Sequence, residues 1–221
     1  MGLASKLVLR LLTAAAAVAS FLFIPAGSLR FWQAWVYLAI WFVPVSLAFA
    51  YFYRHDPELV RRRLQRTETV RKQKIIMKWF YVATPVFYVL PGFDRRFGWS
   101  RSPLWLTTLG QAGVLSGWLI MLSVMKANPF AAGTIQVEFG QTVVSSGPYR
   151  IVRHPMYLGA SLMLLSTPLA LGSYWVVPVF VLFIPIIVLR LLNEEEVLKR
   201  DLPGYSEYCL HTRFRLVPLL W

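Results

Sequence analysis

Five stretches of this chain, residues 11–29, 31–53, 79–93, 102–125 and 155–189, contain no Asp, Glu, Lys or Arg. A helix needs about 20 mostly apolar residues to cross a hydrocarbon core about 30 Å thick. Inside such a core every backbone N–H and C=O must be satisfied within the protein, which leaves helices and closed barrels as the spanning structures. Runs this long and this apolar predict helices. The fold class expected is therefore an all-α membrane protein with about five to six transmembrane helices and no Rossmann domain.

The spans predicted are Leu7–Pro25, Phe31–Tyr53, Ile75–Leu90 and Leu104–Met125. The third starts before its charge-free run, because Lys78 can snorkel, and is expected to end at Pro91-Gly92. The stretch 155–189 should break around Leu171-Gly172-Ser173 into two short helices, forming a re-entrant or tightly turned hairpin kinked by Pro168, Pro178 and Pro185. Lys6 and Arg10 precede the first run as in a signal peptide, but no convincing A-x-A cleavage site follows and a second span starts at once, so the run reads as a retained helix.

Residues 54–78 carry nine Lys/Arg against three acids. By the positive-inside rule this loop lies in the cytoplasm, and so, counting crossings, do the N-terminus, residues 126–154 and the C-terminal tail. Leu59, Val60, Leu64 and Val70 are spaced to lie on the headgroups as an interfacial helix, with a solvated basic loop as the alternative. A net charge of +13 with a mean hydropathy of +0.54 fits contact with anionic lipid headgroups. It does not point to nucleic acid, since no soluble domain is left to carry a basic face. Cys209 is the sole cysteine, so no intrachain disulfide can form.

The chain divides into 1–125, four N-terminal spans with the basic loop, and 126–221, where the residues able to do chemistry gather. In Gly147-Pro148-Tyr149-Arg150 and Arg153-His154-Pro155-Met156-Tyr157-Leu158-Gly159, Pro155 suits the first turn of a helix. His154 then stands at the N-cap, beside unpaired N–H donors and two arginines, where an anion is favoured. Gly159 permits a close approach of backbone or ligand. Further on, Arg190 and Glu194 share a helix face at i,i+4, and Glu195 is turned about 100° away. An Arg and several Glu ending an apolar helix need partners or a wet cavity. The bland readings are an interfacial helix start and a solvated helix end. Asn128-Pro129-Phe130 reads as a loop turn. His55, His154 and His211 are far apart and lack ligand spacing, so no metal site is expected. P-loop, G-x-G-x-x-G and nucleophile-elbow motifs are absent.

The motifs G-P-Y-R-x-V-R-H-P-M-Y-x-G (147–159), R-x-x-x-E-E-x-x-L (190–198), G-Y-x-x-Y (204–208) and R-x-R-x-x-P (213–218) resemble the isoprenylcysteine carboxyl methyltransferase family in its bacterial and archaeal membrane branch, related to phospholipid methyltransferases. The resemblance covers residues 126–221, and Pro91–Ser100 also looks like the bacterial members. It implies S-adenosylmethionine bound at the cytoplasmic face of an integral protein of the bacterial inner (plasma) membrane. Carried onto this sequence, it implies cofactor contacts from His154, Tyr157, Tyr149 and Gly159, with Arg153 and Pro155 shaping the turn. Glu195 would serve as a cofactor or active-site carboxylate, with Glu194 as the other candidate, and Arg190 would face the reacting group. The acceptor implied is lipophilic and enters from the membrane, with carboxylate O-methylation favoured and an amine, phospholipid or thiol acceptor as the alternative. A non-catalytic transporter and an NADPH-dependent membrane reductase are the competing classes.

Overall fold

The computed structural model describes residues 2–64, 74–75, 77–78, 82, 84–131, 137 and 139–221. The described residues are helical with connecting turns and contain no β-strand. The elements are α1 (Leu3–Ala26), α2 (Trp32–His55), α3 (Pro57–Leu64), α4 (Val86–Phe97), α5 (Leu104–Ala127), a 3-10 turn (Gly147–Arg150), α6 (Pro155–Ala170), a second 3-10 turn (Tyr174–Val176), α7 (Val177–Val181), α8 (Ile184–Asp201) and α9 (Tyr205–His211).

Among them, Ala4–Ala26, Trp32–His55, Leu104–Ala127 and Tyr174–Asp201 are long and apolar enough to cross a membrane. Helix α6 is apolar but has only 16 residues. The protein is a multi-spanning membrane protein. The break at 171–173 falls where the sequence places it: α6 ends at Ala170, and Gly172 takes a left-handed φ of 72°. The second half of the expected hairpin is a 28-residue run of its own, Tyr174–Asp201, made of the short turn, α7 and α8.

Pro91-Gly92 does not end a helix. Helix α4 runs through both to Phe97 and stops at Gly98, whose φ is 67°. Packing explains this: a Cβ on Gly92 would stand 2.7 Å from the Leu22 carbonyl oxygen of α1, so glycine is what lets α4 lie against α1. Residues 76, 79–81 and 83 of the expected third span lie outside the described residues. So does Val70 of the basic loop. The described part of that loop, α3, turns Leu59 and Val60 into the protein against Phe52, Met125 and Ala131 rather than towards lipid.

The end of the molecule away from His154 is tied by Asp94, which is 2% exposed. Its carboxylate accepts from the Ser100 N–H at 2.6 Å, from Ser100 Oγ at 2.6 Å and from Ser173 Oγ. Ser100 Oγ in turn accepts the Trp175 N–H at 3.2 Å. The carboxylate thus joins the turn after α4 to the turn after α6. Asp94→Ala leaves several donors facing an apolar void, and a lost bond to a charged group costs about 1.5–3 kcal/mol. A drop in unfolding midpoint in nanodiscs, matching about 3 kcal/mol, is expected.

Among the described residues, helices α5 and α6 form the most extensive pair. Gly110, Gly113 and Gly117 line the α5 side, facing Ala170, Ser166 and Gly159 of α6. The pairing brings the end of α5 alongside the start of α6, where the candidate site lies.

Candidate functional site

The site is assembled where α5 ends and α6 begins. Helix α5 stops at Asn128, whose Oδ1 accepts the Phe130 N–H at 2.9 Å in an Asx-type turn. Its Nδ2 donates to the Tyr149 hydroxyl at 2.9 Å. The Tyr149 carbonyl accepts from Tyr208 Oη at 2.7 Å and Thr212 Oγ1 at 3.3 Å. The backbone N–H groups of Arg153 and His154 donate to the carbonyls of Phe214 and Arg215, each at 2.9 Å. The C-terminal segment therefore clamps the 149–154 turn from outside. Pro155 opens α6 at N1 with His154 as its N-cap residue, as the sequence indicates.

His154 is 4% exposed, and burial is the main influence holding its pKa below the ordinary value, so the ring is neutral. Its Nε2 lies 3.5 Å from the Tyr205 hydroxyl. Burial pushes the Tyr205 phenol well up, so that phenol stays protonated. The same influence raises Tyr208 to about 12.

Helix α8 supplies the acids, and the two candidates part company. Glu195 is 3% exposed and held by Arg215 Nε at 2.7 Å, Arg153 Nη1 at 3.2 Å and Lys199 Nζ at 3.3 Å. It does not line the cavity. Glu194 does, and its Oε2 accepts a 2.5 Å hydrogen bond from the Tyr157 hydroxyl of α6. Arg190, one turn earlier on α8, also lines the cavity and interacts with Tyr157.

The cavity has a volume of about 600 Å³. Its polar pole carries Asn128, Tyr149, Arg153, His154 and Tyr205. Its other pole runs in among the spans, to Tyr37 and Trp41 of α2, Phe87 of α4, Trp118 of α5 and Thr167 of α6. The Tyr157, Arg190 and Glu194 cluster stands with the polar pole at the start of α6 and along α8.

Of the residues singled out in the sequence, Tyr149, Arg153, His154, Pro155, Tyr157, Arg190 and Glu194 meet on this one cavity. Gly159 faces α5 instead, where an added Cβ would stand 2.9 Å from the Gly117 carbonyl oxygen. Asn128 has a defined place, although its Asn-Pro-Phe context reads as an ordinary turn. Arg215 and Tyr205 belong to motifs visible in the sequence, but their contacts with Glu195 and His154 join positions 20 and 51 residues apart. Among the described residues no group of His, Cys, Asp or Glu could hold a metal ion.

Residues 105–202 match the phospholipid methyltransferase family. A Delta(14)-sterol reductase TM7SF2 from Mus musculus is 31% identical over 100 residues, which is 43% of this chain and 24% of that protein. The chain thus spans about a quarter of that protein's length. Both likenesses relate this multi-spanning membrane protein to the phospholipid methyltransferases and sterol reductases, and neither is specific to the isoprenylcysteine carboxyl methyltransferases. The family match takes in α5, α6 and α8, three of the helices that line the cavity.

Proposed function

We propose that this chain is an S-adenosylmethionine-dependent methyltransferase that acts on a lipophilic acceptor drawn from the membrane. The carrying observation is the cavity itself, which joins a polar pole suited to a charged, water-borne cofactor to an apolar pole among the spans. The phospholipid methyltransferase match over three of the helices that line it adds support.

The residues of the polar pole fit the cofactor. Arg153 Nε is buried and lacks a hydrogen-bond partner although Nη1 is engaged with Glu195, so a donor remains for an anionic group. Arg153, the neutral His154 and the first turn of α6 would hold a carboxylate. Asn128, Tyr149 and Tyr205 would hold hydroxyls and the base. When bound, S-adenosylmethionine supplies an electrophilic methyl on a sulfonium whose sulfur leaves with the bonding pair.

Glu194 is assigned the reacting end of the acceptor. An amine reaches the site as an ammonium, and Glu194 would take its proton, freeing the nitrogen lone pair to form the new N–C bond. Tyr157 and Arg190 would orient that carboxylate. A second carboxylate beside Glu194 would be repelled, so an amine or thiol fits better than the carboxylate acceptor the isoprenylcysteine resemblance suggests. Alignment and exclusion of water are the main requirements of the transfer. The polar pole would face the cytoplasm, as the charge pattern suggests, and the membrane would be a bacterial inner membrane, as the family resemblance implies.

The reductase likeness supports a second reading, in which the same polar pole takes NADPH and the same apolar pole a lipid. Calorimetry on the protein in nanodiscs separates the two. Micromolar binding of S-adenosylhomocysteine, lost in His154→Ala, is expected, with no heat from NADPH. Binding of NADPH without S-adenosylhomocysteine would overturn the methyltransferase reading.

A further inference from the structure

The pole of the cavity that lies among the spans is not purely apolar. Tyr37, 1% exposed, stands 3.2 Å from Thr167 Oγ1. Thr167 donates its own proton to the Met163 carbonyl at 2.8 Å, so the Tyr37 phenol is the donor in the contact between them. Both hydroxyl protons are therefore committed. Trp118 lines the same pole and is 6% exposed, and its indole Nε1 is buried with no hydrogen-bond partner. The Trp41 ring lies nearly perpendicular to it, with ring centroids 5.1 Å apart. Trp41 Nε1 makes no fully formed bond either, interacting only weakly with the Tyr37 phenol.

An indole N–H can only donate. Left unmet in a dry site, it costs about 1–3 kcal/mol, a penalty that a phenylalanine ring in the same packing would avoid. Polar groups at membrane depth are expensive, and by default mark a functional site. Two helices place this pole independently. Trp118 precedes Asn128 by ten residues on α5, and Thr167 follows Tyr157 by ten on α6. At 1.5 Å per residue both put it ~15 Å from the polar pole.

We propose that the deep pole is a recognition subsite for a hydrogen-bond-accepting oxygen, an ether or a carbonyl, carried by the lipid substrate ~15 Å from its reacting end. The substrate class is then an elongated amphiphile with an acceptor oxygen inside its apolar part, rather than a plain hydrocarbon tail. Trp118 Nε1 donates to that oxygen, and Tyr37, Thr167 and Trp41 shape the space around it. The subsite deepens the methyltransferase reading only in saying which end of the substrate reacts; the recognition itself needs no particular chemistry at the other pole.

The test compares equilibrium binding of tritiated octadecanol and of its analogue with an ether oxygen in place of the twelfth methylene, on the full chain in nanodiscs. The ether analogue should bind about tenfold tighter to the wild type. Trp118→Phe should erase that preference, bringing the ratio of the two affinities to about one. If the phenylalanine variant does not fold, replacing Trp118 with benzothienylalanine keeps the ring shape, removes only the N–H and must give the same loss. Equal binding of the two probes to wild type, a preference that survives removal of the N–H, or no binding of either probe overturns the subsite. S-adenosylhomocysteine calorimetry on the same nanodiscs reports the cofactor separately. Its failure beside an intact ether preference sinks the methyltransferase reading alone.

Discussion

Glu194→Gln is expected to leave a folded protein that still binds S-adenosylhomocysteine but has lost methyl transfer, whereas Glu195→Gln is expected to lose stability. The adjacent acids differ in surroundings more than in chemistry. Glu194 faces the cavity and accepts a hydrogen bond from Tyr157. Its amide isostere keeps the volume but cannot take a proton, and general-base removal lowers rates by about 10²–10⁴-fold. Glu195 is enclosed by Arg153, Lys199 and Arg215, of which Arg153 is itself 8% exposed. Removing one partner of a buried ion pair leaves uncompensated charge and costs about 3–5 kcal/mol. Lys199 and Arg215 are partly solvated, so the lower end, about 3 kcal/mol, is the expected loss. Transfer of a labelled methyl from S-adenosylmethionine, read beside unfolding midpoints for both variants, checks the assignment. Full stability with abolished transfer in Glu195→Gln, and normal transfer in Glu194→Gln, would exchange the roles.

The sequence is most legible where the physics is local. Pro155 after His154 marks a helix start because proline costs least at N1, where its missing N–H would be unpaired anyway. Leu171-Gly172-Ser173 marks a stop because a left-handed turn needs glycine. Both signals fall on the residues the structure uses. Charge-free length likewise locates α1, α2 and α5 to within a few residues, because lipid imposes that length on any spanning helix. Pro91-Gly92 misleads for the opposite reason. The pair is a local stop signal, but Gly92 serves a tertiary contact with the α1 backbone, and α4 continues through it. The choice between Glu194 and Glu195 is not local either. Positions one apart on a helix point about 100° apart, and only the placement of α6 and the C-terminal segment decides which one meets the cavity and which one Arg215. Asp94 gives no sign of its three donors, since two of them, Ser100 Oγ and Ser173 Oγ, depend on how separate turns fold together.

Among the described glycines, Gly110→Ala is expected to be the most disruptive added methyl. A Cβ at Gly110 would stand 2.3 Å from the Ala170 nitrogen and 2.6 Å from the Leu169 carbonyl carbon, both backbone atoms that no rotamer change can move. At Gly113 the nearest atom is the Ser166 hydroxyl oxygen, and at Gly117 the Met163 side chain, followed by the Gly159 carbonyl oxygen at 2.7 Å. The three glycines therefore let α5 and α6 approach backbone to backbone. Lipid tails are as apolar as the side chains, so such a pair is held by close packing and not by expulsion of water. Forcing the helices apart removes those contacts along their length, and overpacking of this kind costs about 1–3 kcal/mol or more. The site is coupled to the same seam, because Asn128 ends α5 and His154 opens α6. Gly110→Ala should lower the unfolding midpoint and also weaken S-adenosylhomocysteine binding at the far end of the seam. Leu109→Ala, at a neighbouring side chain 59% exposed, should change neither. A Gly110→Ala protein with unaltered midpoint and cofactor affinity would mean that α5 and α6 can separate at that end without moving the turn that carries His154.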